Sequence, residues 1–334
     1  MDDNTKIPLV SSEITGIWNS YMGENLLICK LKHHLNSVED TDTLAIMKYT
    51  LDLSNQRIKV LTDLFNQEKL PIPGGFSDNE VNINAPRLFT DTFYLQYMAY
   101  ASKVAMQNYT LILNNIARSD VRNYFSKCIQ EYIDLYNRSA ELRLSKGIFV
   151  RAPHVEVPKE VQYIKDESFM LDWFGEKRPL LTLEITHIFS IASATILRSA
   201  QLIGFAQVSK DKKISDYMLR GKELATKQNN AFNSILAAEG IPIPSSSDLY
   251  VTQSTVAPFS EKLMLYKIMI MCSEKIGSLG FALADIQRSD LQSMCIKFMD
   301  AVMKYAKDGA DIMIDNGWSE QPPQAIRHEN LVEV

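Results

Sequence analysis

Glu184 and His187 stand three residues apart in the run Glu184-Ile185-Thr186-His187. On a helix that spacing puts a carboxylate and an imidazole on one face. The pair is the unit from which di-iron and di-manganese centres are built inside four-helix bundles. Two helices each supply a Glu and the other two each supply a Glu-x-x-His, so two such pairs are needed per bundle. The chain has five histidines, His33, His34, His154, His187 and His328, and only His187 follows a Glu at that distance. Lys30 and Leu31 stand three residues before His33 and His34. The expectation is a surface or capping role for Glu184 and His187, with no di-metal centre of the usual composition. The candidates left for an irregular single-metal site are Glu184 with His187, and the adjacent His33 and His34.

Other chemistry finds less support. The chain has no Gly-rich phosphate loop, no Gly-x-Ser-x-Gly and no His-Glu-x-x-His. Cys29, Cys128, Cys272 and Cys295 are widely spaced without a Cys-x-x-Cys pair and read as reduced core thiols. Met264, Met269 and Met271 read as core packing. Gly74-Gly75 follows a proline corner and reads as a flexible turn. A net charge of −5 argues against nucleic acid and against anionic membrane surfaces, both of which need a basic face. The start, MDDNTKIPLV, lacks a basic stretch followed by an apolar one, so no signal peptide is read. The most apolar run, Leu263 to Asp285, is broken by Lys267, Glu274 and Lys275 and reads as a buried helix rather than a membrane span. The expected protein is cytoplasmic, without cofactor or membrane insertion.

Whatever these residues do depends on the elements that carry them, and those elements occur twice. Pro71-Ile72-Pro73 recurs as Pro242-Ile243-Pro244, 171 residues on. The same shift aligns Pro8–Thr15 (PLVSSEIT) with Pro179–Thr186 (PLLTLEIT) and Glu68 with Glu239. After a one-residue slip, a shift of 170 aligns Asn115–Asp120 (NIARSD) with Asp285–Asp290 (DIQRSD), Phe89 with Phe259 and Gly147 with Gly317. Ordered matches over that distance indicate duplication of a whole domain.

Scarce Gly and Pro (13 and 12 residues) favour helices, and each copy reads as four of them. Apolar spacing predicts helices over about 11–34, 41–69, 87–117 and 120–146, then 182–207, 214–239, 258–286 and 290–316. Asp40 and Thr41 offer N-caps and Gly147 a C-cap. The first and second helices, and the third and fourth, are joined by short turns and form antiparallel hairpins. About 16 residues, Leu70 to Ala85, separate second from third. At ~3.3 Å each they can cross a helix of ~38 Å and make those two helices parallel. The fold class is all-α: two tandem ferritin-like four-helix bundles, each with a long crossover. The expected domains are 8–150 and 179–324, with an ordered connecting segment over 151–178 and a tail over 325–334. In the connection, Val155-Glu156-Val157 and Val161-Gln162-Tyr163-Ile164 look extended, and Phe169 to Phe174 looks like an apolar docking segment.

This topology brings the start of the first helix, the end of the second and the third–fourth turn to one end. There it gathers Glu13, Glu68, Arg118 and Asp120, and in the second copy Glu184, Glu239, Arg288 and Asp290. Asp120 and Asp290 read as N-caps of the fourth helices, and the two arginines as carboxylate bridges. The expected role is structural.

The run Asn316-Gly317-Trp318-Ser319-Glu320-Gln321-Pro322-Pro323-Gln324, the Pro-Ile-Pro corners and Pro179–Thr186 together resemble DUF3231, a family of unknown function common in Bacillus and related spore-formers. The resemblance covers both halves, although Gly147 to Pro153 (GIFVRAP) departs from the Gly-Trp…Gln-Pro-Pro signature. It implies a ferritin-like fold, distant similarity to the spore coat F domain and a forespore or spore association, and it brings no activity. The function expected first is a non-catalytic structural or interaction protein, spore- or stress-related, with a protein partner still unidentified. The second is a module binding a small apolar molecule or a partner helix between bundle helices. A metal-dependent oxidoreductase comes third. A buried, closed core with no inward polar cluster favours the first, an elongated apolar cavity lined by the third helix of either copy the second, and inward Glu and His side chains around a metal the third.

Overall fold

Each predicted apolar run forms one long helix in the computed structural model, which describes residues 7–166, 169, 177–244 and 250–325. The first copy holds α1 (Ser11–Ser37), α2 (Thr41–Gln67), α3 (Asp91–Leu113) and α4 (Ser119–Ser145). The second holds α5 (Thr182–Val208), α6 (Lys212–Ala238), α7 (Glu261–Asp285) and α8 (Ser289–Asp315). The starts follow from capping. Asp40 Oδ2 accepts from Thr43 N (3.1 Å), and at the equivalent place Asp211 Oδ1 accepts from Lys213 N (2.7 Å). α3 and α7 begin three or four residues later than apolar spacing predicts. Thr90 and Ser260 cap them, and the residues just before are held extended by a different partner, described below.

Contacts along the helices set their directions. Ser20 on α1 meets Tyr109 on α3, and Ser37 meets Tyr94, so α1 and α3 are antiparallel. Arg57 on α2 meets Glu131 on α4, and Asp40 meets Lys146, so α2 and α4 are antiparallel. With both hairpins antiparallel, α2 and α3 run the same way. The second copy repeats this through Lys275–Thr195 and Ser209–Glu261, and through Lys213–Asp315 and Gln228–Phe298. The protein is thus all-helical among the described residues, with two four-helix bundles in tandem.

The two crossovers pair with each other. Asn82 N donates to Pro258 O and Ser260 N to Glu80 O (both 2.9 Å), while Thr90 N donates to Tyr250 O (3.0 Å) and Thr252 N to Leu88 O (2.9 Å). The resulting bridges are Val81 with Phe259 and Phe89 with Val251. Because Val81 is equivalent to Val251 and Phe89 to Phe259, the pairing is two-fold, as in an isologous dimer. Lys30 and Gln201, themselves equivalent positions, meet near the same axis at 3.4 Å. One apolar core runs through this junction from Ile17 and Phe125 in the first copy to Phe205, Phe259 and Leu263 in the second. A smaller core, with Ile185, Ile188, Phe232 and Leu279, fills the far end of the second bundle.

The connection is described only in part. Val155–Val157 and Val161–Ile164 adopt no regular structure, and Val157, Val161 and Tyr163 are exposed. Of the expected docking segment only Phe169 is described, its ring 4.5 Å from the Arg178 guanidinium. Met170 to Phe174, and the tail beyond Ala325 with His328, lie outside the described residues. The run Leu263 to Asp285 is α7. The described helix long and apolar enough to cross a membrane is instead α5, and 72% of its apolar window is buried inside the protein.

Candidate functional site

The residues expected at the bundle ends do meet. Arg118, almost fully buried, donates from Nη1 to Glu68 Oε1 (2.6 Å) and from Nη2 to Asp120 Oδ2 (2.6 Å). Arg288 makes the matching contacts with Glu239 (3.3 Å) and Asp290 (2.9 Å). Burial opposes ionisation of Asp290, but the Arg288 guanidinium and the Lys177 ammonium hold its carboxyl down at about 2. Asp120 and Asp290 are not the N-caps, since each sits inside the first turn. The free amides there are taken by a glutamate from another helix. Glu13 Oε1 accepts from Ala117 N (3.0 Å) and Arg118 N (2.8 Å), and Glu184 Oε1 from Gln287 N (3.2 Å) and Arg288 N (3.1 Å). A glutamate reaching across from the first helix thus ties it to the start of the fourth.

That assignment separates Glu184 from His187. Glu184 is fully buried, not at the surface, and its carboxylate is shared between these amides and Arg178 (2.8 Å to each oxygen). His187, partly exposed, bonds Asp285 through Nε2 (2.7 Å). His33 and His34 are both buried, Nδ1 to Nδ1 at 3.4 Å. His33 Nε2 bonds the Ala85 carbonyl (3.0 Å), and His34 packs against Tyr94 and Phe259. Burial pushes both imidazoles below their ordinary value. His187 meets one carboxylate, Asp285, while Glu184 is held by Arg178 and backbone amides, and the described residues hold no group of three or more His, Cys, Asp and Glu placed for a metal.

Gly74-Gly75 is not a loose turn. Its two amides donate to the Glu320 carboxylate at 2.8 Å each, and Lys262 Nζ donates to Gly75 O (3.1 Å). Glu320 lies inside the Gly-Trp…Gln-Pro-Pro run, so the signature of the second copy locks onto the proline corner of the first.

The middle of each bundle carries a polar layer that apolar spacing had hidden. In the first, Glu24 Oε1 accepts from Arg57 Nη1 (3.0 Å), Tyr109 Oη (3.1 Å) and Tyr132 Oη (2.9 Å). Arg57 also binds Glu131 through Nε (3.1 Å) and Nη2 (2.9 Å) and stacks on Tyr132. Ser20 joins Tyr109 and Tyr124. The space between carboxylates from α1 and α4, where a metal would have to sit, is filled by the guanidinium. A signal existed: Glu24 and Arg57 interrupt apolar faces.

At equivalent positions the second bundle has Thr195 for Glu24, Gln228 for Arg57, Leu279 for Tyr109 and Val302 for Tyr132. Beside these smaller or less polar groups lies a cavity of about 50 Å³, room for a few waters and roughly a third of what benzene needs. Its wall is Leu202, Leu224, Ile268, Met271 and Val302 with Thr195, Arg198, Gln228 and Lys275. Lys275 Nζ donates to Thr195 Oγ1 (2.9 Å), and burial, with Arg198 nearby, pushes its ammonium well below the ordinary value. Arg198 is 5% exposed and bonds Tyr100 Oη of the first copy (2.6 Å), yet its Nε and Nη1 have no partner. Each unsatisfied buried donor costs about 1–3 kcal/mol. Cys272 lines the cavity as a neutral thiol, pushed by burial up to about 12. Tyr217 and Tyr305 stack beside it, each hydroxyl donating to the other residue's carbonyl at 3.2 Å. That approach needs Gly221 and Gly309, where a Cβ would lie 2.2 Å from a tyrosine oxygen.

The family model for proteins of unknown function, DUF3231, matches residues 2–161 and again 168–331. A crystal structure named provisionally as a spore coat protein of Bacillus halodurans C-125 aligns with 46% of this chain and 99% of its own at 17% identity and a TM-score of 0.42. No curated protein matches. Two matched segments that together span nearly the whole chain establish that this protein belongs to the DUF3231 family, as a tandem pair of its domains.

Proposed function

We propose that the protein acts by binding, without catalysis, and that its second bundle is the ligand-holding half. The observation that carries this is the difference between equivalent layers. The first bundle fills its middle with Glu24, Arg57 and three tyrosines, while the second leaves a cavity there, lined in part by Ile268, Met271, Cys272 and Lys275 of α7. A third-helix cavity favours a binding module over a wholly structural protein. The test is ligand-observed NMR of the full chain with a mixed set of the smallest neutral, anionic and cationic fragments, of about four heavy atoms or fewer. Binding lost in Ala225→Leu, which fills the cavity, is the expected result; no fragment sensitive to that substitution would overturn the reading.

A structural or interaction role is the second reading, supported by the paired crossovers and the Arg57 network. Membership of the family supports placing either role in a spore-forming or stressed cell. Metal analysis of untagged protein addresses the oxidoreductase reading, which near-stoichiometric iron or manganese would revive.

A further inference from the structure

We infer that His33 and His34 are a proton-operated latch on the junction between the two copies: as neutral rings they hold it closed, and mild acid releases it. The latch is independent of the cavity in the second bundle. Both rings are fully buried, and their hydrogen bonds leave room for one proton each. His33 Nε2 donates to the Ala85 carbonyl (3.0 Å), so its Nδ1 accepts from Nδ1 of His34 (3.4 Å). His34 Nε2 then carries a buried lone pair that no group meets. A second proton on His33 turns the Nδ1 contact into donor against donor. On His34 it creates a charged N–H with no acceptor.

The groups around the pair do not offset that cost. One turn earlier on α1 stand Cys29, whose thiol donates to the Ser77 carbonyl (3.5 Å), and Lys30, which opposes a positive charge on His34. From α3 comes Tyr94, its ring 4.4 Å from that of His34 and its hydroxyl shared with Ser37 (3.1 Å). The first crossover brings the Ala85 and Pro86 carbonyls, and the second copy brings the Phe259 ring. No carboxylate acts on either imidazole, and burial keeps both neutral below their ordinary range.

Position turns this chemistry into a latch. Both rings pack on Phe259, whose backbone is bridged to Val81, and Ala85 follows in the same crossover. At the two-fold-equivalent place Phe205 packs on Phe89 and Gly204 stands for His33, so an apolar ring does the packing there and nothing titrates. Opening the junction gives both imidazoles access to water. Below about pH 6.5 the open form therefore binds protons that the closed form refuses. Closure is fully favoured above that value and weakens as the pH falls.

Hydrogen exchange of the full chain should be followed at about pH 7.5 and 5.5 on the bridging amides of Asn82, Thr90, Thr252 and Ser260. Protection factors there should fall about tenfold for each ring that the closed form keeps neutral. That window lies above the range in which carboxylates titrate. His34→Phe, which copies Phe205, should remove about tenfold of the fall, and His33→Gln combined with His34→Phe should remove nearly all of it. Protection that is equal at both pH values, or that falls as far in the double variant as in the wild type, overturns the latch. Should the variants fail to fold, the imidazole nitrogen NMR shifts of the wild-type protein decide. His34 neutral at about pH 5.5 with the junction closed is the expected result; a protonated His34 in the closed protein overturns the inference.

Discussion

Arg57 shows how much one side chain decides. Its guanidinium, 4% exposed, stands between Glu24 and Glu131 and beneath Tyr132. Removing it leaves the Glu24 carboxylate buried without a cation, which costs far more than the pair contributes when intact. Arg57→Met should therefore destabilise the protein by about 3–5 kcal/mol, measured by urea unfolding. The double variant Glu24→Met with Arg57→Met should recover most of that loss, because the uncompensated charge is gone. Equal destabilisation in the double variant would mean that packing, not charge, is what Arg57 supplies. None of this partnership was legible beforehand. Glu24 and Arg57 are 33 residues apart, and no local pattern says that two polar interruptions on different helices face each other.

At the scale of elements, the sequence was read most successfully, and the reason is local. Asp40, Asp211, Gly147 and Gly317 act within one turn of where they stand, so caps and stops follow from residue type. The ends of α2 and α6 offer a comparison within one chain. Gly240 follows α6 at φ +68°, and the equivalent Lys69 follows α2 at φ +54°. A side chain in the left-handed region costs roughly 1–2 kcal/mol, part of which glycine returns as unfolded-state entropy. Lys69→Gly should stabilise the protein by about 1 kcal/mol, raising the urea midpoint; a lower midpoint would show that the Lys69 side chain holds the crossover. α3 and α7 start later than apolar spacing predicts because residues 88–90 pair with 250–252 and residues 258–260 with 80–82, and a strand-like pairing between distant crossovers has no helical or local signature.

At the scale of the molecule, the two copies share their stability. The core that passes through Phe89, Phe93, Phe205 and Phe259 is common to both, and Glu320 of the second copy closes the Gly74-Gly75 corner of the first. Unfolding one half would strip both crossovers of their partners. With Trp173 replaced by Phe, single-tryptophan variants keeping Trp18 or Trp318 should therefore report one urea midpoint. Phe89→Ala should lower both together by about 3–5 kcal/mol of stability. Separate midpoints would mean that the bundles fold independently. The same junction carries Arg198–Tyr100 and Tyr100–Glu274, so a buried polar chain ties the two copies as well.

The sequence by itself determined the helices, their duplication and the polar clasps at the bundle ends. Periodicity, capping and repetition are written in residues that act on near neighbours or recur at a constant interval. Only the tertiary structure decided that the crossovers pair about a two-fold, that a glutamate of the first helix caps the fourth, and that one bundle is filled where the other is hollow. Those outcomes depend on which side chains meet across helices, and on the volume left when Glu24 and Tyr132 in one copy become Thr195 and Val302 in the other. A difference of packed volume has no local signature, because it exists only once four helices have closed around it.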